Sequence, residues 1–254
     1  MSASITNVKG YNTVTQVMGS RRERLRAATI EEIKTTARRL LVSDGPAGVS
    51  LRAIGREMGM TAAALYRYYP SLEALVTALC GDLFDECRTA MEHARDEYPP
   101  DELGRRLYAV CRAFRGWSVA HPAEFGLMFG SPLPGLTDTM HDTVSAEHAA
   151  GMRFASVFAE LFTGVWQRAP FPTPADEELP ESLRSQLATY VATIGADLPL
   201  GAAQVFLSCW IRLYGLVALE VFGHLHFAFS DVEPMFEVEL VSVARMLGLA
   251  DPPR

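Results

Sequence analysis

Apolar residues recur every three or four positions along most of this 254-residue chain, and no useful length alternates strictly between apolar and polar residues. The first spacing is typical of one face of an α-helix, whereas strict alternation marks a half-buried strand. The pattern therefore predicts an all-α protein. The predicted helices have the approximate bounds 29–44, 50–58, 61–69, 71–98, 101–120, 122–129, 138–167, 181–193, 200–222 and 232–247.

The first predicted helix begins at a capping box, in which Thr29 and Glu32 would each satisfy a free backbone N–H. Residues 1–20 lack sustained periodicity, and we expect them to form a mobile arm. A run of arginines, at positions 21, 22, 24 and 26, would lie between the arm and the helix.

Residues 50–69 predict two short helices joined by a tight turn. Ser50 would cap the first helix, Gly59 would end it in the left-handed conformation, and Thr61 would cap the second. The outward positions of the second helix are small or polar, namely Ala62, Ala63, Ala64, Tyr66 and Arg67. Small side chains let a helix lie deep in a groove, and hydroxyl and guanidinium groups can reach phosphates or base edges. An ordinary pair of core helices is the alternative.

The distribution of charge favours a nucleic-acid partner, although the summed charge is −7. Residues 21–70 hold ten Lys and Arg against five Asp and Glu, a net of +5, and Lys9 precedes them. Residues 71–254 therefore carry −13. Positive charge is concentrated on the segment that would face phosphate. The four arginines at 21 to 26 could follow a DNA backbone or enter a minor groove, or they could be a solvated charge run.

The stretch around the predicted turn resembles the helix-turn-helix of the TetR family of transcriptional regulators. The resemblance rests on the pattern I-x4-G-x-T-x3-LY-x-YY-x-S from Ile54 to Ser71, followed by Glu73 and Leu75. Gly55 stands where the family usually has alanine, at a cost of about 1 kcal/mol of helix propensity. The resemblance implies a three-helix DNA-binding domain. The residues that we expect at the DNA are Ser50, Arg52, Thr61, Ala62, Ala63, Ala64, Tyr66, Arg67 and Ser71.

A second resemblance covers residues from about 105 to 247. Its motifs are R-x-F-R-x-W at 112–117, HP at 121–122, LMFGSPLPG at 127–135 and LYGLVALEVFGHL at 213–225. They are similar to the ligand-binding half of TetR-like proteins named for a Trp-His-Gly signature, in whose place this chain has Leu213-Tyr214-Gly215. This resemblance implies a symmetric dimer through the last two long helices, and a small-molecule cavity in each subunit.

Together the resemblances divide the chain into an arm at 1–20, a helix-turn-helix DNA-binding domain at 21–88 and a larger helical ligand-binding and dimerisation domain at 89–254. The helix at 71–98 would begin in one domain and end in the other, so we expect it to couple them. Apolar residues cover more than one face of the helix at 200–222, which therefore needs a partner beyond its own core. A second subunit is one such partner, and an intramolecular neighbour is the alternative.

Large apolar side chains from different helices could line a cavity for a mostly apolar ligand. The candidates are Trp117, Met128, Phe158, Phe162, Trp166, Phe206, Trp210 and Tyr214, and the polar groups that could orient the ligand are His121, Arg153, Gln204 and Arg212. Each apolar candidate could instead be an ordinary core residue, and the polar groups could pair with acids or reach solvent.

Other chemistry finds little support in the sequence. The four cysteines show no CxxC spacing, which favours reduced core thiols in a cytoplasmic protein. The six histidines lack the spacing of a recognisable metal site, and no catalytic motif is present, so we expect no metal, no cofactor and no enzyme activity. The sequence contains no recognisable signal peptide and no run of 18 apolar residues, so we expect no contact with a membrane.

The function that we expect is sequence-specific DNA binding by a homodimeric transcriptional regulator, a repressor released from a palindromic operator by a small, mostly apolar molecule. Two alternatives belong to other classes. One is a helical protein that only carries lipid-like ligands, and the other is an enzyme without a role at DNA.

Overall fold

The computed structural model describes residues 20–130 and 146–249, and within these ranges the chain is helical and has no strand. The predicted all-α fold is confirmed. The helices of the described ranges are α1 (Arg21–Asp44), α2 (Leu51–Met58), α3 (Ala62–Leu65), α4 (Leu72–Asp96), α5 (Leu103–Ala120), α6 (Pro122–Phe129), α7 (Ala146–Arg168), α8 (Glu181–Ile194), α9 (Leu200–Val221) and α10 (Glu233–Met246). The predicted arm and the start of the predicted helix 138–167 lie outside the described residues.

The first helix begins at Arg21 and not at the predicted Thr29. Ser20 and Glu23 form the capping box: the Ser20 hydroxyl accepts the Glu23 N–H at 3.3 Å, and the Glu23 carboxylate accepts the Ser20 N–H at 2.6 Å. Thr29 is an interior position, where its hydroxyl donates to the Leu25 carbonyl oxygen. The four arginines therefore occupy the first two turns of α1.

Three other boundaries differ from the prediction. Helix α3 has only four residues, and the chain continues as turns to Tyr68. Helix α5 begins at Leu103, two residues after the predicted start at 101. Helix α10 begins at Glu233, one residue after the predicted start at 232, and the Asp231 carboxylate accepts the Glu233 N–H at 3.0 Å.

Helix α4 is the central element of the packing. It packs along α7 and α5, and it also contacts α1 and α6, so it joins the first helix to later helices of the chain. One continuous apolar core extends from Ile33 in α1 through Leu83 and Phe114 to Leu247. Helix α6 contacts α1, α4 and α5. These contacts place two helices, α4 and α6, between the N-terminal helices and the rest of the protein.

The four cysteines are buried free thiols, as predicted. Burial raises the pKa of Cys111 to about 12 and that of Cys209 to about 11, so both stay protonated at neutral pH.

Among the described residues, α9 is the one helix that is long and apolar enough to span a membrane. In the apolar 18-residue stretch of α9 that meets this test, 33% is buried inside the chain. A helix in the core of a water-soluble protein passes the same test, so the feature is weak evidence for a membrane.

Candidate nucleic-acid interface and ligand cavity

The predicted helix-turn-helix is formed by α2, a turn at residues 59–61 and α3. The Ser50 hydroxyl accepts the Ala53 N–H at 3.1 Å, and the Thr61 hydroxyl accepts the Ala64 N–H at 3.2 Å, so both are N-caps as predicted. Gly59 ends α2 at φ +64°, a conformation that disfavours residues with a Cβ atom.

Gly55 permits the close approach of the two helices. A Cβ atom at this position would lie 2.7 Å from the Met60 carbonyl oxygen and 3.3 Å from a methyl carbon of Leu65. The Gly55 carbonyl oxygen also accepts the Met60 N–H at 2.8 Å, which closes the turn. The glycine therefore has a packing role that offsets its low helix propensity.

Three of the five predicted outward residues are exposed: Ala63 in α3, and Tyr66 and Arg67 in the turn that follows it, with Tyr66 55% accessible. Ala62 and Ala64 are half-buried, and Leu65 anchors the helix at 1% exposure. The hydroxyls of Ser50, Thr61 and Ser71 each accept a backbone N–H as caps, which leaves the hydroxyl proton of each free to donate to a phosphate. The exposed face is therefore small in bulk and rich in hydrogen-bond donors.

Arg26 joins the start of α1 to the end of this motif, a contact that the sequence did not indicate. Its guanidinium donates to the Arg67 carbonyl oxygen at 3.2 Å and lies 5.2 Å above the ring of Tyr68. A groove between the two segments is lined by Arg21, Arg22, Leu25, Arg26, Thr29, Arg67 and Tyr68. The N-terminal arginines thus continue the surface that carries Arg67.

The cations of the N-terminal helices fall into two groups. Lys34, Arg38 and Arg39 form ion pairs with acids. In the described part of the chain, Arg21, Arg22, Arg52, Arg56 and Arg67 pair with no acid, and all five are exposed. The second group is therefore available to phosphate.

An apolar cleft of about 350 Å³ lies among α4, α6, α7, α8 and α9. Three of the predicted ligand residues, Phe158, Phe206 and Trp210, line it. The other lining residues are Phe84, Phe129, His148, Gly151, Met152, Phe154, Ala155, Tyr190 and Leu207. Of the predicted polar groups, neither Arg153 nor Gln204 is among them: Arg153 pairs with Asp85, and Gln204 donates to Ser208.

A second cavity, of about 50 Å³, lies toward α5 and α10. Phe162 lines this one together with Cys111 and Cys209, and Arg212 pairs with Glu239 at its edge. Phe158, Phe206 and Trp210 border both cavities, so these three side chains form the wall between them. The volume of this second cavity is too small for more than a water or two. The larger cleft is therefore the better candidate for a ligand site.

Three predicted ligand residues lie in the packed core outside both cavities. Met128 is 2% exposed within α6, and Trp166 packs edge-on against Phe171 at 5.0 Å. Tyr214 stacks on Trp210 at 5.6 Å, and its hydroxyl donates to the Phe129 carbonyl oxygen at 3.2 Å. Tyr214 therefore supports the wall of the cleft from behind.

The last two predicted ligand residues, Trp117 and His121, belong to a polar network between the N-terminal helices and the rest of the chain. Arg38 of α1 donates two hydrogen bonds to Glu86 of α4, at 2.6 and 3.1 Å, and a third to the buried Glu124 of α6, at 3.0 Å. Trp117 donates its indole N–H to Glu86 at 3.0 Å, and His121 stacks on Trp117. The network joins α1, α4, α5 and α6.

Helix α6 connects this network with the cleft. Glu124 in its first turn binds Arg38, and Phe129 at its end lines the cleft and contacts Phe84 and Phe154 at ring-centroid distances of 5.5 and 5.9 Å. One short helix therefore contacts both the cleft and α1. Sequence spacing could not indicate this connection, because Arg38 and Glu124 are 86 residues apart.

An apolar face on α9 and α10 is open to solvent. Ile211 is 66% exposed and Val238 is 62% exposed, and Leu219, Phe222 and Met246 are also exposed. Large exposed apolar patches commonly mark sites of protein association.

The described residues include no cluster of three or more His, Cys, Asp or Glu side chains that could hold a metal ion.

Comparisons with known proteins agree with this geometry. Residues 33–79 match the sequence model described as bacterial regulatory proteins, tetR family, and residues 107–243 match the one described as tetracyclin repressor-like, C-terminal domain. Neither description confirms the predicted Trp-His-Gly subfamily.

Individual relatives give the same result. The chain is 32% identical over 206 residues to helix-turn-helix (HTH)-type transcriptional regulators of Mycobacterium bovis and Mycobacterium tuberculosis, covering 80% of this chain and 82% of each relative. Among solved structures, SCO4313 has a TM-score of 0.68 at 26% identity, with 87% of this chain and 98% of that one covered. A protein from Rhodococcus has a TM-score of 0.60 at 22% identity, covering 87% and 95%, and so supports the fold alone.

Proposed function

Because the chain belongs to the TetR family of transcriptional regulators, we propose that it is a homodimeric repressor that leaves a palindromic operator when a small apolar molecule binds. Family membership makes the protein a DNA-binding transcriptional regulator and not an enzyme. The dimer, the ligand and the sign of regulation are our proposal.

The observation that carries the proposal is the exposed surface of α3 together with the arginines that surround it. Ala63, Tyr66 and Arg67 project from a short helix with a buried anchor, and Arg21 and Arg22 extend the same surface. Direct readout of bases needs such a helix in the major groove, and phosphate contacts from its surroundings fix its position. In the proposal, Ala62 to Ala64 contact thymine methyl groups, Ser50, Thr61, Tyr66 and Ser71 bind phosphates, and Arg52 and Arg67 contact phosphates or bases.

A dimer through α9 and α10 would cover the exposed apolar face and present two copies of α3 to one side of the duplex. The predicted half-sites then lie about 34–36 Å apart, or a multiple of that distance, in an inverted repeat. The same contact accounts for the apolar face of α9 without a membrane, as expected for a protein that works beside the chromosome.

Ligand in the larger cleft would act on the N-terminal helices through α4 and α6. A ligand shifts the balance between two dimer arrangements only by its difference in affinity for them. Phe84 of α4 and Phe129 of α6 both line the cleft, and Glu86 and Glu124 on the same helices bind Arg38. Both helices are therefore proposed coupling elements, and α6 is an addition to the helix that the sequence suggested.

A duplex titration over a series of salt concentrations tests the function. We expect the logarithm of the association constant to fall linearly with the logarithm of salt concentration, with a slope of about −0.9 for each phosphate contacted. Duplex binding that is absent, or that does not respond to salt, would instead favour the helical carrier of lipid-like molecules.

A further inference from the structure

The larger cleft has a lining that narrows the chemistry of what it can hold. We propose that it takes an uncharged, planar molecule of two or three fused rings with one hydrogen-bonding group, which Tyr190 binds. This inference rests on the proposed ligand-responsive function, since it names the ligand class of that same cleft.

The size of the ligand follows from the volume. A dry apolar cavity of about 150 Å³ holds one benzene molecule. The cleft measures about 350 Å³, so it offers the space of about two such rings, or three where part of the ligand reaches the opening. The smaller cavity behind Phe158, Phe206 and Trp210 adds no room while these side chains keep their places.

The charge of the ligand follows from the side chains that are present. No Asp, Glu, Lys or Arg is among the described residues that line the cleft, and Arg153, which is on the same helix as several of them, pairs with Asp85. A charged group in such a cleft would be desolvated without a counter-ion, at a large cost in affinity. His148 is the one described lining residue that could carry a charge, so an anionic analogue is the critical comparison.

The shape of the ligand follows from the number and arrangement of the rings. Seven of the lining side chains are aromatic, and some of them meet edge to face, as Phe154 does with Phe158 at 5.9 Å and with Trp210 at 6.1 Å. An aromatic ligand can continue this packing and gains attraction beyond burial of its surface, whereas an alkyl chain of the same size gains only the burial. The difference for two rings corresponds to roughly tenfold in affinity.

Tyr190 supplies the polar contact. Its ring lies parallel to that of Phe206 at 6.5 Å, and its hydroxyl has no hydrogen-bond partner among the described residues although the side chain is half-buried. Burial also raises the pKa of Tyr190, which keeps the hydroxyl a donor at neutral pH. A ligand oxygen at this end of the cleft would satisfy that donor.

Calorimetric titration of the full-length protein with three probes tests the class. The probes are 2-naphthol, which is planar and neutral, 2-naphthoate, which is planar and anionic, and 1-decanol, which is neutral and flexible. We expect 2-naphthol to bind about tenfold more tightly than either of the others. Equal or tighter binding of 1-decanol would overturn planarity, equal or tighter binding of 2-naphthoate would overturn neutrality, and absence of binding by all three would overturn the proposal.

Tyr190→Phe tests the polar contact with the ring retained. It should weaken 2-naphthol by about fivefold, the loss expected for one hydrogen bond, and leave naphthalene unchanged. The matched control is Tyr98→Phe, two residues after the C-terminal end of α4 and outside the cleft. Equal effects on both probes, or none on 2-naphthol, would remove Tyr190 from the site. Operator binding by the ligand-free protein is measured separately. If these titrations fail while DNA binding is intact, the proposed ligand class is refuted but the proposed DNA-binding function is not.

Discussion

Arg67 is an exposed cation in the turn that follows α3. Its carbonyl oxygen is held by Arg26, and its guanidinium is exposed and unpaired in the part of the chain that the structure describes. We predict that Arg67→Ala weakens duplex binding and lowers the magnitude of the salt slope by about two, because each subunit of the proposed dimer loses one phosphate contact. Fluorescence anisotropy across a salt series measures both quantities.

The matched control for that variant is Arg105→Ala. Arg105 is also exposed, but it pairs with Glu102 at the start of α5, far from α3. It should leave affinity and slope unchanged, and both variants should melt like the parent protein. An unchanged affinity together with an unchanged slope for Arg67→Ala would remove this residue from the interface.

Single residues were predictable where their effect is local. The caps Ser50 and Thr61 follow from type and spacing alone, since a cap acts within three residues. The partners of Arg26 and Arg38 were not predictable, because their contacts join residues 41 and 48 or more positions apart. Trp117 and His121 were assigned to the ligand for the same reason: their helix was known but not the neighbour that they face.

At the scale of elements, the contact of α6 with α1 depends on Arg38. Replacing Arg38 with Met leaves Glu124, at 4% exposure, without its cation. We predict a loss of about 2 kcal/mol in the free energy of unfolding, below the roughly 3–5 kcal/mol for a fully buried pair because Arg38 is partly exposed. Urea denaturation measures this loss.

The double variant Arg38→Met/Glu124→Gln separates coupling from stability. It removes the uncompensated charge, so it should recover part of the lost stability. Operator affinity should still fall, because the N-terminal helices are held less firmly, while the salt slope stays that of the parent since no phosphate contact is removed. If the folded double variant bound the operator as tightly as the parent protein, the network would not position α2 and α3.

The same network predicts a dependence on acid. Burial by itself raises the pKa of Glu86, but hydrogen bonds from Arg38 and Trp117 outweigh it and hold the pKa below the ordinary glutamate value. A depressed folded pKa contributes stability above the unfolded value of about 4.3, and this contribution is lost as pH falls through the folded pKa. Between pH 7 and pH 3, Glu86→Gln should therefore lose less stability than the parent protein. The control Glu177→Gln, on an exposed loop, should follow the parent curve.

The helices themselves were largely predictable, and the errors have physical causes. Helix α1 offers two capping boxes, and Ser20-Glu23 is used because arginine is a good helix former that carries the helix through the whole basic run. The predicted core helix α9 was identified from its apolar residues, but whether its outer face meets another helix or another subunit is not encoded in periodicity. From the sequence, Gly55 was expected only to lower the helix propensity of α2. In the structure, its small size is what the close approach of α2 and α3 requires.

At the scale of the whole molecule, the exposed face of α9 and α10 should be the contact between subunits. We predict that Ile211→Glu and Val238→Glu, each at a position more than 60% exposed in one chain, convert a dimer into subunits of 27.9 kDa. Both should also lose most of their operator affinity, because one α3 alone makes half of the contacts. Light scattering after gel filtration measures the mass.

Leu183→Glu is the control for those variants. Leu183 is an exposed apolar residue of α8, away from the proposed contact, and its replacement should leave the mass of the dimer unchanged. If the parent protein were itself monomeric, or if neither glutamate changed the mass, α9 and α10 would not form the dimer.

Charge also belongs to the whole molecule. The net +5 of residues 21–70 and the −13 of residues 71–254 orient the protein toward DNA, and the structure places Arg21 and Arg22 along one groove with Arg67. This polarity was predictable from the sequence, whereas the cleft was predictable only in part, because three of the nine expected ligand residues line it.

Selection of bound duplexes from random sequence, followed by native mass measurement of the selected complex, tests whether two chains bind one operator together. We expect an inverted repeat whose half-sites lie about one helical turn or a multiple apart, bound by two chains. Enrichment of no inverted repeat, or a complex with a single chain, would contradict it.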